Sequence, residues 1–250
     1  MTVTAEPLGS ARVVRWEQAG RLNAWTRDAI EAIADAIEAA GADEAVRCVV
    51  VRGAGSEFSA GDDLHAALEA TAEDWSATIA AFQRITRAAF AAPVPVLAAI
   101  DGVCIGGALE FACSCDLRIA TDRARFATPE VGIGLVATNA GTLLLPEVLG
   151  ETAARELLLT GDLRDAQWAL RNRLVAEVVA PEELDARVAA WAARFDRVSR
   201  TAVARTKAML NARLGDLVPA AMDREERACI ELFDAPDARA ALEAFAAGRR

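Results

Sequence analysis

Apolar and polar positions along the chain fall into alternating strand-like and helix-like stretches. Residues 12–17 (RVVRWE) read as a first strand, and 20–25 (GRLNAW) as a turn leading onward. Thr26 is placed to cap a helix whose apolar positions, Ala29, Ile30, Ile33 and Ile37, recur at helical spacing until Gly41. The run 46–52 (VRCVVVR) predicts a buried strand, followed by a glycine-punctuated loop, GAGSEFSAGDDL. Trp75, Ile79, Phe82, Ile85 and Ala89 mark one face of a helix over 75–91, stopped by Pro93 and Pro95. Residues 96–105 (VLAAIDGVCI) predict a strand running into Gly106-Gly107, where a short apolar helix begins. Short strands are expected at 117–120 and 125–128, and a last one at 175–180 within a mostly helical second half. A loose β–β–α rhythm recurs in the first half. Its strands are apolar on both faces, which predicts an α/β sheet covered on both sides.

Composition narrows the classes. The 250 residues are 54% apolar and carry 27 basic against 37 acidic side chains, for a formal charge of −10. That is too apolar for a disordered chain and long enough for a sizeable core. The acidic balance argues against nucleic acid as a partner, because phosphate selects a cationic face. No apolar run reaches the 18 or so uncharged residues of a membrane span, so no membrane partner is expected. The N-terminal MTVTAEPLGSARVV has neither a basic nor an apolar export region, and the expectation is a cytoplasmic protein. Five cysteines without paired or metal-ligand spacing (48, 104, 113, 115, 229) read as free, buried thiols, and no metal site is expected.

The chain has no Tyr, one His (His65) and one Lys (Lys207), so acid–base chemistry falls mainly on carboxylates. The most informative segment is IDGVCIGGALE, 100–110. A buried strand delivers two glycines to a helix start, where unsatisfied N–H groups and the helix dipole favour negative charge. Glu110 lies one turn along on the same face as Gly107. An acid in this apolar helix is exposed, pairs with an arginine such as Arg118 or Arg125, or serves a site. A second glycine turn, FSAGDDL (58–64), is able to aim another N–H at the same point. Otherwise it is an ordinary loop. In ATPEVG (127–132), Glu130 follows Pro129 into a further glycine-bearing loop, as a site carboxylate or simply as an acid at a helix start. No G-x-S-x-G elbow accompanies His65, which is expected on a flexible segment at a pocket rim and not in a hydrolase triad.

Together these segments resemble the crotonase superfamily, the enoyl-CoA hydratase/isomerase family. RLNAW (21–25), FSAGDDL (58–64), the long stretch 95–120, ARFATPEVGIGL (124–135) and 157–179 carry the resemblance across almost the whole chain, and the closing DAPDARAALEAFAAGRR adds to it. The resemblance implies a spiral of ββα units over 1–190, followed over 191–250 by a helical region that helps form a homotrimer, often paired into a hexamer. It implies an acyl-CoA thioester as ligand, with coenzyme A part of the substrate and no separate cofactor. The oxyanion hole carries over to the backbone N–H groups of Asp62 and Gly107. Contacts to coenzyme A carry over to Leu22, Ala24, Ala60, Asp63 and Leu64, and near the C-terminus to Phe245 and Arg249. Glu110 and Glu130 match the glutamates that act on one water in the family's hydratases, Glu110 taking its proton and Glu130 protonating C2.

The chain also departs from the pattern. Where the family loop commonly reads PGAGGTQRL, residues 137–145 read ATNAGTLLL. Gly248 replaces a customary lysine, and Arg173 a customary glycine. The resemblance leaves three activities: 2-enoyl-CoA hydratase, another crotonase-type enzyme such as an enoyl-CoA isomerase, or a non-catalytic acyl-CoA-binding protein.

Overall fold

The apolar run at 48–53 becomes a central strand covered on both faces, and the sheet grows around it. In the computed structural model, which describes residues 1–233 and 235–246 without the side chains of 65, 67, 69, 245 and 246, six strands line up in one sheet. These are β1 (Thr2–Leu8), β2 (Ala11–Glu17), β3 (Cys48–Gly53), β4 (Val96–Ile100), β6 (Leu117–Thr121) and β9 (Glu177–Val179), in that order. Only the β1–β2 hairpin is antiparallel. Alternate side chains go to opposite faces. Val49 and Val51 meet Ile30, Ile33 and Ile37 of helix α1 (Arg27–Ala42) and Ile85 of α3 (Ala72–Ala91), while Cys48 and Val50 meet Leu184 and Val188 of α8 (Leu184–Ala192). Burial on both sides is why the run is continuously apolar and not alternating.

A smaller sheet holds β5 (Val103–Ile105), β7 (Arg125–Ala127) and β8 (Arg164–Asp165). Each turn of the chain therefore lays a strand in the larger sheet, a short extended segment in the smaller, and then helix. Helix α4 (Gly107–Ser114) follows β4 and β5. A 3-10 turn at Pro129–Ile133, then α5 (Gly141–Leu149) and α6 (Glu151–Thr160), follow β6 and β7. One turn earlier, Ser59 bridges Cys104, and Trp25 bridges Asp62. This is the expected ββα spiral. Equivalent corners of successive turns stack, so the glycine turns at 61 and 106 and the Pro129-Glu130 corner become neighbours though far apart in sequence.

Several local expectations change. The single strand expected at 96–105 is two, in different sheets, because Gly102 (φ +58°) turns the chain between them. A Cβ there would collide with the Glu57 carboxylate, which accepts from Val103 N at 2.6 Å. Thr26 precedes α1 but makes no side-chain cap; the capping box belongs instead to Thr71 and Asp74, which start α3 at Ala72, ahead of Trp75. Strand β1 and helix α2 (Leu64–Glu69) were not signalled. Beyond α7 (Ala166–Arg171), the chain continues through α8 and α9 (Arg200–Ala212) to α10 (Leu217–Phe233) and α11 (Pro236–Ala246). All five cysteines are buried and free.

Candidate active site

The spiral brings three chain corners to one cavity, walled by Ala60, Asp62, Leu64, Gly107, Glu110 and Glu130, with Trp75, Phe82 and Ile133. Gly61 (φ +83°) turns so close to the next corner that a Cβ on it would lie 2.7 Å from the Ile105 carbonyl and 3.4 Å from Gly107 N. The Asp62 N–H follows that turn and the Gly107 N–H opens α4. Among the described residues neither donates to a protein acceptor. Gly106 (φ +60°) donates instead to Ala127 O at 2.9 Å, tying this corner to the one bearing Glu130. Two unpaired donors at a cavity-lining corner and a helix N-terminus are chemically suited to an oxyanion. Gly107 also has no room for a side chain, since a Cβ would sit 2.5 Å from Cε1 of Phe82.

Glu110 is 1% exposed and pairs with neither suggested arginine. Arg118 donates to the carbonyls of Ala112, Cys115 and Leu174, and Arg125 to those of Asp122 and Ala124. Glu110 Oε2 instead accepts from the N–H groups of Asn139 at 2.9 Å, Gly141 at 3.1 Å and Thr138 at 3.2 Å. Burial, then the charges of Glu130 and Glu225, drive its pKa well above the usual carboxylate range, while the amides pull it back. Oε1 accepts from no protein donor among the described residues. Glu130 lies across the cavity, its Oε1 2.9 Å from where a Cβ on Gly106 would be. The residue is half-buried, yet its Oε2 is sealed from solvent without a partner, and burial lifts its carboxyl to about 7, with Glu225 adding to the rise. Amide donors favour an ionised acid, and an unpartnered buried oxygen favours a protonated one. Burial favours the protonated form of both acids, the amides on Glu110 Oε2 oppose it there, and among the described residues Glu130 Oε2 has no donor to stabilise its charge.

The residues expected to contact coenzyme A divide into two groups. Leu22, Ala24, Ala60, Asp63 and Leu64 line one cavity that adjoins the first at Ala60, Asp62 and Leu64. The local sequence builds this wall. Leu22 and Asn23 take positive φ (51° and 53°), and the Asn23 side chain ties the 54–57 loop through Ala54 O at 2.9 Å and Glu57 O at 2.7 Å. Asp63 pairs with Arg21, a half-exposed guanidinium on the same cavity. The Phe245 side chain and Arg249 lie outside the described residues, as does the side chain of His65. Burial raises the Asp62 carboxyl to about 7, so its charge is partly neutralised beside its own unpaired N–H.

Lys207 plays no part here. Its ammonium is buried on Ala89 O at 2.8 Å, Val94 O at 3.3 Å and Asp116 at 2.7 Å, a structural pin for α9. A third buried acid, Glu225 on α10, escaped the sequence reading. It accepts from Ala140 N at 2.7 Å, Thr142 N at 2.8 Å and Thr142 Oγ1 at 2.5 Å. Its signal was available: Val218, Ala221, Met222, Glu225, Cys229 and Phe233 form one buried helical stripe, with the acid in an apolar register.

The family model described as Enoyl-CoA hydratase/isomerase matches residues 10–250. The crotonyl-CoA hydratase of Syntrophomonas wolfei is 35% identical over 92% of this chain and 88% of its own length. The short-chain-enoyl-CoA hydratase of Clostridium acetobutylicum is 31% identical, over 99% and 95%. A crystal structure of an enoyl-CoA hydratase/isomerase from Xanthobacter autotrophicus superposes with a TM-score of 0.89 at 31% identity, covering 98% of this chain and 93% of that one. The stacked glycine corners, the two carboxylates on one cavity and a match over nearly the full length agree: the chain belongs to the enoyl-CoA hydratase/isomerase family, with the crotonase fold.

Proposed function

We propose that the protein is an enoyl-CoA hydratase, adding water across the 2,3 double bond of an acyl-CoA thioester. The observation that carries this reading is the pairing of Glu110 and Glu130 on one cavity beside two unpaired backbone donors. The thioester oxygen sits on the N–H groups of Asp62 and Gly107, which stabilise the enolate-like charge that forms there. Water lies between the carboxylates. Glu110 Oε1 accepts a water proton as the oxygen bonds to C3, and Glu130 delivers its proton to C2. The enzyme ends with the proton on the other glutamate, and exchange with solvent resets the pair. The coenzyme A portion occupies the cavity lined by Leu22, Ala24, Ala60, Asp63 and Leu64, with Arg21 presenting a cation to its phosphates. Phe245 and Arg249 complete the grip in this reading. Coenzyme A arrives with the substrate, and the chemistry calls for no further cofactor.

Two related proposals accompany it. The chain assembles as a homotrimer or a pair of trimers through residues 191–250, and it works in the cytoplasm. Among the described residues no helix is long and apolar enough to cross a membrane. The activity is tested by following the ultraviolet absorbance of a 2-enoyl-CoA in plain buffer. Loss of the enoyl thioester with formation of 3-hydroxyacyl-CoA supports the reading. Conversion of a 3-enoyl-CoA to the 2-enoyl isomer without hydration points to an isomerase. Tight acyl-CoA binding without turnover points to a binding protein.

A further inference from the structure

The 138–142 turn is held by two buried carboxylates that divide its amides between them. Thr138, Asn139 and Gly141 donate to Glu110, while Ala140 and Thr142 donate to Glu225 from the opposite side. Between them Ala140 takes a left-handed conformation (φ +62°), which is strained for a residue with a Cβ. Asn139 is fully buried with neither side-chain polar atom partnered. A turn strained in this way persists only when its surroundings over-determine it. Glu110 cannot supply that alone, because it is the group the turn orients.

We propose that Glu225 is a positioning residue for hydration: by holding the Ala140 and Thr142 amides it fixes the turn whose remaining amides orient Glu110. The inference rests on the hydratase reading above. Glu225 touches neither cavity, so it acts through Glu110 and is not itself catalytic. Its charge has a second effect, since it raises the proton affinity of both Glu110 and Glu130. The charged and titratable groups on the packed elements are few. Glu110 comes from α4 and Glu130 from the 3-10 turn. Arg87 of α3 reaches Met222 Sδ at 3.5 Å, one turn before Glu225. Glu226 turns away to Ser76 and Gln83, and Cys229 lies one turn on, bonded to Trp75. Helix α5 brings one ionisable side chain, Glu147, which pairs with Arg213 at 2.6 Å.

Glu225→Gln keeps the size but loses the charge and one acceptor. Displacement of the turn by a fraction of an ångström should lower kcat about 30- to 100-fold, with KM for crotonyl-CoA within about threefold. Removing a buried like charge should move the pH–kcat profile about one pH unit toward acid. Glu225→Asp, which restores the charge, should return the profile toward that of the parent. A merely structural residue would lower activity without moving the profile, and that result overturns the proposal, as does a kcat within threefold of the parent. The ¹³C-carboxyl resonance of Glu110 gives a readout independent of turnover. Its midpoint should fall in Glu225→Gln even if the parent hydrates no acyl-CoA, and an unmoved midpoint overturns the proposal. If Glu225→Gln fails to fold, Thr142→Val removes only the hydroxyl donor to Glu225 and weakens its hold on the ionised form. The Glu110 midpoint should then move in the same direction by a smaller amount, and an unmoved midpoint overturns the proposal there too.

Discussion

Replacing Glu110 by glutamine separates the chemistry of this site from its architecture. Only Oε2 of Glu110 is engaged by the turn, accepting at 2.9, 3.1 and 3.2 Å. The single oxygen of a glutamine amide fits that position and keeps all three contacts. Its NH₂ then faces the cavity where Oε1 stood, and it has no lone pair to take a proton from water. Glu110→Gln should therefore fold and bind acyl-CoA as the parent does. It should be no less stable above neutral pH, since a buried charge has been removed. General-base catalysis is worth about 10²- to 10⁴-fold, or about 2.7–5.4 kcal/mol in the barrier, and that is the expected loss in kcat. The assay is absorbance decay of crotonyl-CoA, paired with calorimetric titration of a saturated acyl-CoA. The parent profile should be bell-shaped around neutrality. Its acid limb is the uptake of a second proton by the Glu110–Glu130 pair, and its basic limb the loss of the last one from Glu130, whose carboxyl is raised to about 7. In the mutant the acid limb disappears. A kcat within tenfold of the parent would show that Glu110 is not the base.

Other perturbations reach other parts of the site. Gly107→Ala places a Cβ 2.5 Å from the Phe82 ring and displaces the N–H it carries, so kcat should fall about 10²- to 10³-fold for every acyl chain length; equal activity would refute the oxyanion assignment. Asp62→Asn should keep turnover, because its donor is main chain. It should also change the stability profile. A carboxyl raised from 3.8 to about 7 binds more protons folded than unfolded between those values, so the parent loses stability as pH rises through that window. Urea midpoints of Asp62→Asn should accordingly gain on the parent from pH 4 to pH 8, and parallel curves would contradict the burial of that charge. Lys207→Met leaves Asp116 and two carbonyls without their buried partner, and urea unfolding should show a loss of about 3–5 kcal/mol with kcat per folded molecule unchanged.

What could be read from the sequence was whatever is local. The glycines at 61, 106 and 107, the acid one turn into α4 and the Pro129-Glu130 corner each announce a backbone need or a misplaced charge within a few residues. The strand at 48–53 showed its double burial in its own composition. The remainder depended on contacts far along the chain. Glu225 lies 85 residues from the Ala140 amide it accepts from, and no spacing rule links them. Gly102 resembled a strand residue until its neighbour Glu57 showed why the chain must turn there. Arg118 and Arg125 were plausible partners for Glu110 by distance in sequence, but backbone carbonyls claim both. Strand β1 is marginal on its own, with no fully buried residue, and owes its place to pairing with β2.

In the proposed hydration, Glu110 takes a proton from the water that adds to C3 while Glu130 supplies a proton to C2. The most direct test is to incubate the protein with crotonyl-CoA in H₂¹⁸O, and separately in D₂O, and to analyse the product by mass spectrometry and NMR. The predicted product is 3-hydroxybutyryl-CoA with one ¹⁸O at C3 and, in D₂O, one deuterium at C2 in a single stereochemical position. Exchange of deuterium into the substrate without ¹⁸O incorporation, or recovery of unlabelled crotonyl-CoA, would contradict the account.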